Sequence, residues 1–166
     1  VAAAKGDVMA GTCGTCVACC KVFAIAELAK PVGQWCKHCS IGKGCRIYEK
    51  RPEPCVTFKC LWLESQTTEF PFAADLRPDK CKVVISPTTN PKILSVITAT
   101  GSPDAWRKDP VARILKLLVR GGHAVAIGPA GSTRKTMLEL DPNGVIITSE
   151  ARLTAADANG MQWSVE

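Results

Sequence analysis

Two patterns of apolar and polar positions divide the chain. In the second half the apolar residues are β-branched and come in short runs. Lys82-Val-Val-Ile-Ser86 and Lys92-Ile-Leu-Ser-Val-Ile-Thr98 predict two strands, separated by Pro87-Thr-Thr-Asn-Pro91. Val111, Ile114, Leu115 and Leu118 then recur at helical spacing. Asp109 is the expected N-cap of that helix, Pro110 its first residue, and Gly121-Gly122 its stop. Strands are expected again at His123–Ile127 and Lys135–Leu140. The turn Asp141-Pro-Asn-Gly144 leads into a last strand, Val145–Thr148. The order ββαβββ predicts a small, mainly antiparallel sheet with one helix. The tail, residues 151–166, is polar and expected to be partly mobile.

The first half lacks this regularity. One helix is predicted from Cys16 to Lys30, ending before Pro31 and Gly33; Val22, Phe23, Ile25, Ala26 and Leu28 supply its packing. On such a helix Cys16, Cys19 and Cys20 would share a face. Pro31 to Pro54 is rich in glycine, proline and lysine and reads as loops without a core of their own. The fold class is therefore α+β: a cysteine-rich, metal-stabilised module with a short helix (residues 8–66), and a sheet region (residues 75–150) packed against it as one globular unit.

Cysteine content sets the chemistry. Nine of the ten cysteines fall between Cys13 and Cys60, opening with Cys13-Gly-Thr-Cys16-Val-Ala-Cys19-Cys20. An odd number suits disulfide pairing poorly, and Val1–Asp7 shows no charged n-region followed by an apolar h-region. The expectation is a cytoplasmic, reducing compartment and metal ligation by Cys13, Cys16, Cys19, Cys20, Cys36, Cys39, Cys45, Cys55 and Cys60. Cys16-x2-Cys19 followed by Cys36-x2-Cys39 fits a zinc double knuckle, whereas Cys13-x2-Cys16-x2-Cys19 opens a ferredoxin-type run whose fourth ligand lies elsewhere. Zinc, two or three ions, is preferred; an iron–sulfur cluster is the alternative. Two separate four-thiolate sites and a bridged cluster are both open.

Net charge is +6, but much of the excess sits among the thiols. Lys21, Lys30, Lys37, Lys43, Arg46, Lys50, Arg51 and Lys59 face only Glu27, Glu49 and Glu53 there. Metal-bound thiols are deprotonated, so this charge has a local use. With few aromatics for stacking, nucleic acid is not the expected partner. No apolar run approaches the roughly 18 residues of a membrane span. A protein partner is left open.

The later cysteines stand in longer motifs: Trp35-Cys36-Lys-His-Cys39, and Gly44-Cys45-Arg-Ile-Tyr-Glu-Lys-Arg-Pro-Glu-Pro-Cys55 running on to Phe58-Lys-Cys60-Leu-Trp62. With CxxCxxCC at Cys13–Cys20, the chain over residues 13–62 resembles the YkgJ-like cysteine-cluster family, described as a zinc- or iron-chelating domain. The resemblance implies metal chelation by these cysteines. A similar cluster is attached to flagellin lysine methylases as an iron–sulfur site. This chain shows no glycine-rich methyl-donor loop, so that activity is not carried over.

Other residues carry less. His38 is expected to support a ligand rather than be one, His123 to be structural, and Cys81 to be a buried apolar side chain. Tyr48 and Trp62 are expected to pack around the cluster, while Arg46 and Arg51 could either bond thiolates or be solvated. Gly128-Pro-Ala-Gly-Ser-Thr-Arg-Lys-Thr136 superficially resembles a phosphate loop, but Arg134 stands where the motif needs glycine, so a hairpin loop is predicted. No catalytic motif is found, and the chain reads as a binding protein rather than an enzyme.

Overall fold

The computed structural model describes residues 11–157 and 160–165. Its first half holds short elements: α1 (Cys19–Val22), a two-residue hairpin β1 (Cys39–Ser40) and β2 (Gly44–Cys45), α2 (Glu53–Thr57), α3 (Leu61–Ser65) and α4 (Pro78–Cys81). The second half holds β3 (Val83–Pro87), β4 (Ile93–Thr98), α5 (Val111–Arg120), β5 (Ala124–Pro129), β6 (Arg134–Leu140), β7 (Ile146–Asp157) and β8 (Gly160–Val165). The fold is α+β, with the last six strands in one sheet in sequence order. All neighbours are antiparallel except β4 and β5, which are parallel because α5 carries the chain back across the sheet.

The sheet differs from expectation at its far end. The final strand runs on from Ile146 to Asp157 and pairs with β8, so most of the predicted tail is ordered sheet. Its polar sequence hid this, since backbone pairing needs no apolar side chains. Around α5 the expected stop at Gly121-Gly122 is found, but Pro110 occupies the N-cap and makes no side-chain cap. Asp109 instead pairs with Arg113 one turn on, at 3.0 Å. The fully buried stripe is Val111, Leu115 and Val119; Ile114 and Leu118 are only partly buried beside it.

Alternation along the strands buries apolar residues on both faces of the sheet. On one face Val83, Ile85, Leu94, Val96, Val125, Ile127 and Leu138 meet α5. On the other, Val84 and Ile97 meet Val22, with Phe23, Phe58 and Ala130 packed alongside. The cysteine half thus covers the β3–β4 end of the sheet opposite α5. Trp62, Leu63 and Leu76 join the α5-side core. Arg77 holds Asp79 at 2.6 Å and donates to Thr15 at 3.1 Å, tying α4 to the first cysteine loop.

The predicted hairpin loop between β5 and β6 is present, and it docks the module. A Cβ at Gly131 would stand 3.0 Å from Cγ1 of Val32, so the glycine lets the two segments touch. Lys135 is buried and donates to the Pro129 carbonyl at 3.2 Å within the same hairpin.

Candidate metal centre

The helix predicted over residues 16–30 is broken. Only Cys19–Val22 is α-helical; Phe23 is extended, a 3-10 turn spans Ala26–Leu28, and Ile25 bridges back to Lys30. An unbroken helix of that length would carry its end roughly 22 Å from its start. Folding back instead puts Cys16, Cys19, Cys20, Ile25, Leu28 and Lys30 around one cavity.

That cavity, of about 220 Å³, is lined by Cys13, Cys16, Cys19, Cys20, Cys36, Cys45 and Cys55. Its other wall is mostly apolar, including Phe23, Ile47, Pro52 and Phe58. A second, much smaller cavity of about 20 Å³ shares Cys13, Cys16 and Cys19 and adds Cys60. Cys39 lines neither, but it stands opposite Cys45 in the β1–β2 hairpin and its N–H donates to the Cys36 carbonyl at 3.0 Å. The nine sequence-selected cysteines are therefore one neighbourhood. Cys81 is not in it: it ends α4, with its Sγ 3.4 Å from the Leu76 and Val83 carbonyls. Nor is the double knuckle an isolated group. Cys16 and Cys19 face both cavities, whereas Cys36 faces only the larger.

Among the described residues, no three His, Cys, Asp or Glu side chains stand ready as a metal-coordinating group. The thiols face common space without converging on a point. No protein-family model, curated protein or solved structure matches the chain. The functional reading therefore rests on the cysteine motifs and on this geometry.

The residues between Pro31 and Pro54, predicted as loops, contain the β1–β2 hairpin, which sets Cys39 opposite Cys45. Gly44 makes this hairpin fit. Its φ is +112°, and a Cβ there would stand 2.8 Å from the Gly14 carbonyl oxygen. That contact brings the hairpin against the first cysteine loop. Gly44→Ala is expected to destabilise the protein by about 1–3 kcal/mol through strain and clash. Urea unfolding of the variant as purified measures this, and an unchanged midpoint would count against it.

Electrostatics in the larger cavity are those of crowded, desolvated thiols. Burial pushes Cys16 and Cys39 up to about 11 and raises Cys13 and Cys55. The Cys19–Cys20 hydrogen bond holds Cys19 well above its ordinary value and brings Cys20 down to about 7. Most of these groups thus resist ionisation unless a cation offsets the charge. Two protein cations stand at the walls. Lys30 is only 6% exposed, and its ammonium donates to the carbonyls of Lys21, Phe23 and Pro31. Arg51 lies 3.6 Å from the Tyr48 ring centroid and donates to the Tyr48 carbonyl at 2.7 Å. The Tyr48 hydroxyl in turn accepts from the Cys13 N–H at 3.4 Å.

These contacts sort the supporting residues. Arg51 and Tyr48 line the larger cavity, whereas exposed Arg46 donates to the Lys37 carbonyl. His38 lines neither cavity; its backbone N–H, not its ring, lies 3.5 Å from Cys36 Sγ. His123 also lines neither. Trp62 is buried against the smaller cavity, with its indole N–H on the Ala73 carbonyl at 3.1 Å. Sequence reasoning counted Lys30 only in the charge balance. Its role comes from a chain reversal that no local pattern announces.

Proposed function

We propose that this chain is a metal-binding protein of the YkgJ-like cysteine-cluster type, holding two or more ions, zinc by preference, in the thiolates of its first half. The observation that carries this reading is the shared cavity lining. Eight cysteines from four separate stretches of chain face two adjoining cavities, and the ninth, Cys39, stands opposite Cys45 in the β1–β2 hairpin. Desolvated thiols with Lys30 and Arg51 beside them are a donor set that a soft divalent cation would satisfy. When bound, the metal would cross-link a segment that has little core of its own. The protein would then serve as a structural interaction module or as a metal chelator, in the reducing cytoplasm where thiolates persist. Among the described residues no helix is long and apolar enough to cross a membrane.

A second reading has an observation of its own. The larger cavity exceeds what one ion needs, and its apolar wall suits a shielded iron–sulfur cluster serving electron transfer or an accessory role.

Metal analysis and a visible spectrum of protein purified anaerobically from iron-supplied cells separate the two. The expected result is a colourless protein with zinc and little iron. A brown preparation with stoichiometric iron and acid-labile sulfide would replace zinc with the cluster. Cys55→Ser should lower metal content and Cys81→Ser should leave it intact. Equal loss in a folded Cys81→Ser protein would contradict the ligand set.

A further inference from the structure

We propose that Cys60 joins Cys13, Cys16 and Cys19 in a closed single-ion site that is distinct from an open, exchangeable site in the larger cavity. This rests on the metal-binding reading above and divides its thiols into two kinds. The small cavity is where the division shows. Besides its four cysteines it is lined by Ala18, Phe58, Trp62, Leu63, Pro78 and Val84, with no charged side chain and no side-chain carbonyl or hydroxyl. Its volume of about 20 Å³ is near that of one water-sized sphere. It would take a single ion and would not take a cluster with its own sulfides.

Cys60 is the N-cap of α3, and the Glu64 N–H donates to its carbonyl at 3.0 Å, which fixes its backbone at the cavity wall. The Cys16 N–H likewise donates to the Cys13 carbonyl at 3.0 Å. The larger cavity also touches Cys13, Cys16 and Cys19, but it adds Cys20, Cys36, Cys45 and Cys55 and the cations Lys30 and Arg51.

Position in the fold gives the closed site its role. Cys60 packs against both hydrophobic cores, and Cys13 against the one that includes α5. An ion held by these two cysteines would pin the cysteine half to the sheet. Closed four-thiolate sites are structural, whereas sites that keep an open position do the exchange or the chemistry. The working metal is therefore the one in the larger cavity.

The test uses the full chain loaded with cadmium-113 and a proton–cadmium correlation spectrum, which identifies the cysteines sharing each ion. One cadmium should correlate with the β-protons of Cys13, Cys16, Cys19 and Cys60. Cys60 sharing a cadmium with Cys36 or Cys55, or bearing none while other thiols are loaded, would overturn the division. A chain that binds neither cadmium nor zinc would instead overturn the metal-binding reading itself. The zinc-loaded protein supplies a second readout, since a chromophoric chelator should withdraw its ions in two phases. Cys55→Ser should retain the slow phase, and Cys60→Ser should lose it together with one ion per chain. A single phase in the wild type would refute the inference, and the cadmium spectrum needs no variant to fold.

Discussion

Removing the metal from the intact chain is expected to abolish amide protection across residues 31–54 while the strands flanking α5 stay protected. Within that segment only Cys36 and Gly44 are buried, and its regular structure amounts to the two-residue β1–β2 pair, one 3-10 turn and the first two residues of α2. Ordering each backbone residue costs about 1–2 kcal/mol, and so little apolar burial does not offset it. The neighbouring sheet has its own core: Val96 and Val125 are fully buried against Leu115 of α5. Hydrogen exchange read by mass spectrometry, on protein shown by metal analysis to be metal-free, makes the comparison. Unchanged protection over 31–54 in that sample would mean the segment is held by packing alone, and the metal would lose its structural role.

Leu115→Ala is expected to have the largest effect of any single change on the sheet half, destabilising it by about 2–5 kcal/mol. Leu115 has no exposed surface and lies at the centre of the stripe that α5 presents to β5, β6 and β7. Truncation leaves a cavity that the surrounding strands, tied by their ladders, cannot collapse into. Leu117, on the same helix, is 58% exposed, so Leu117→Ala should change stability by no more than about 0.5 kcal/mol. Leu115 lines neither thiol cavity, so metal content of folded Leu115→Ala protein should match the wild type. Urea unfolding with parallel metal analysis checks both. A Leu115 variant as stable as the parent, or one that loses metal while folded, would contradict this account of the core.

Legibility followed the range of the interactions. The α5 helix and the strands on either side of it could be read because each carries a local period and ends at a glycine or proline signal. Strand β8 and the long run of β7 could not, since their pairing is backbone to backbone and their sequence has little apolar–polar alternation. The helix over residues 16–30 failed for a related reason. Val22, Phe23, Ile25 and Leu28 have helical spacing, yet Val22 packs on the sheet while Ile25 and Leu28 turn to the cavity, with Phe23 touching both. Two destinations cannot be served by one straight rod.

The nine cysteines of the candidate site were named by residue type and density alone, and their spacing excluded Cys81 from the group. Which thiols face which cavity was decided only in three dimensions. Cys60 stands 41 residues from Cys19 in sequence yet shares a cavity with it, while Cys20, beside Cys19 in the chain, faces only the larger one. Lys30 came to the cavity wall through the bridge from Ile25, and Gly44 met Gly14 through a hairpin too short to predict. Local sequence therefore determined the chemistry available and the helix and strands with a clear period. The direction in which each thiol points depends on contacts between distant segments, and only the packed chain decides those.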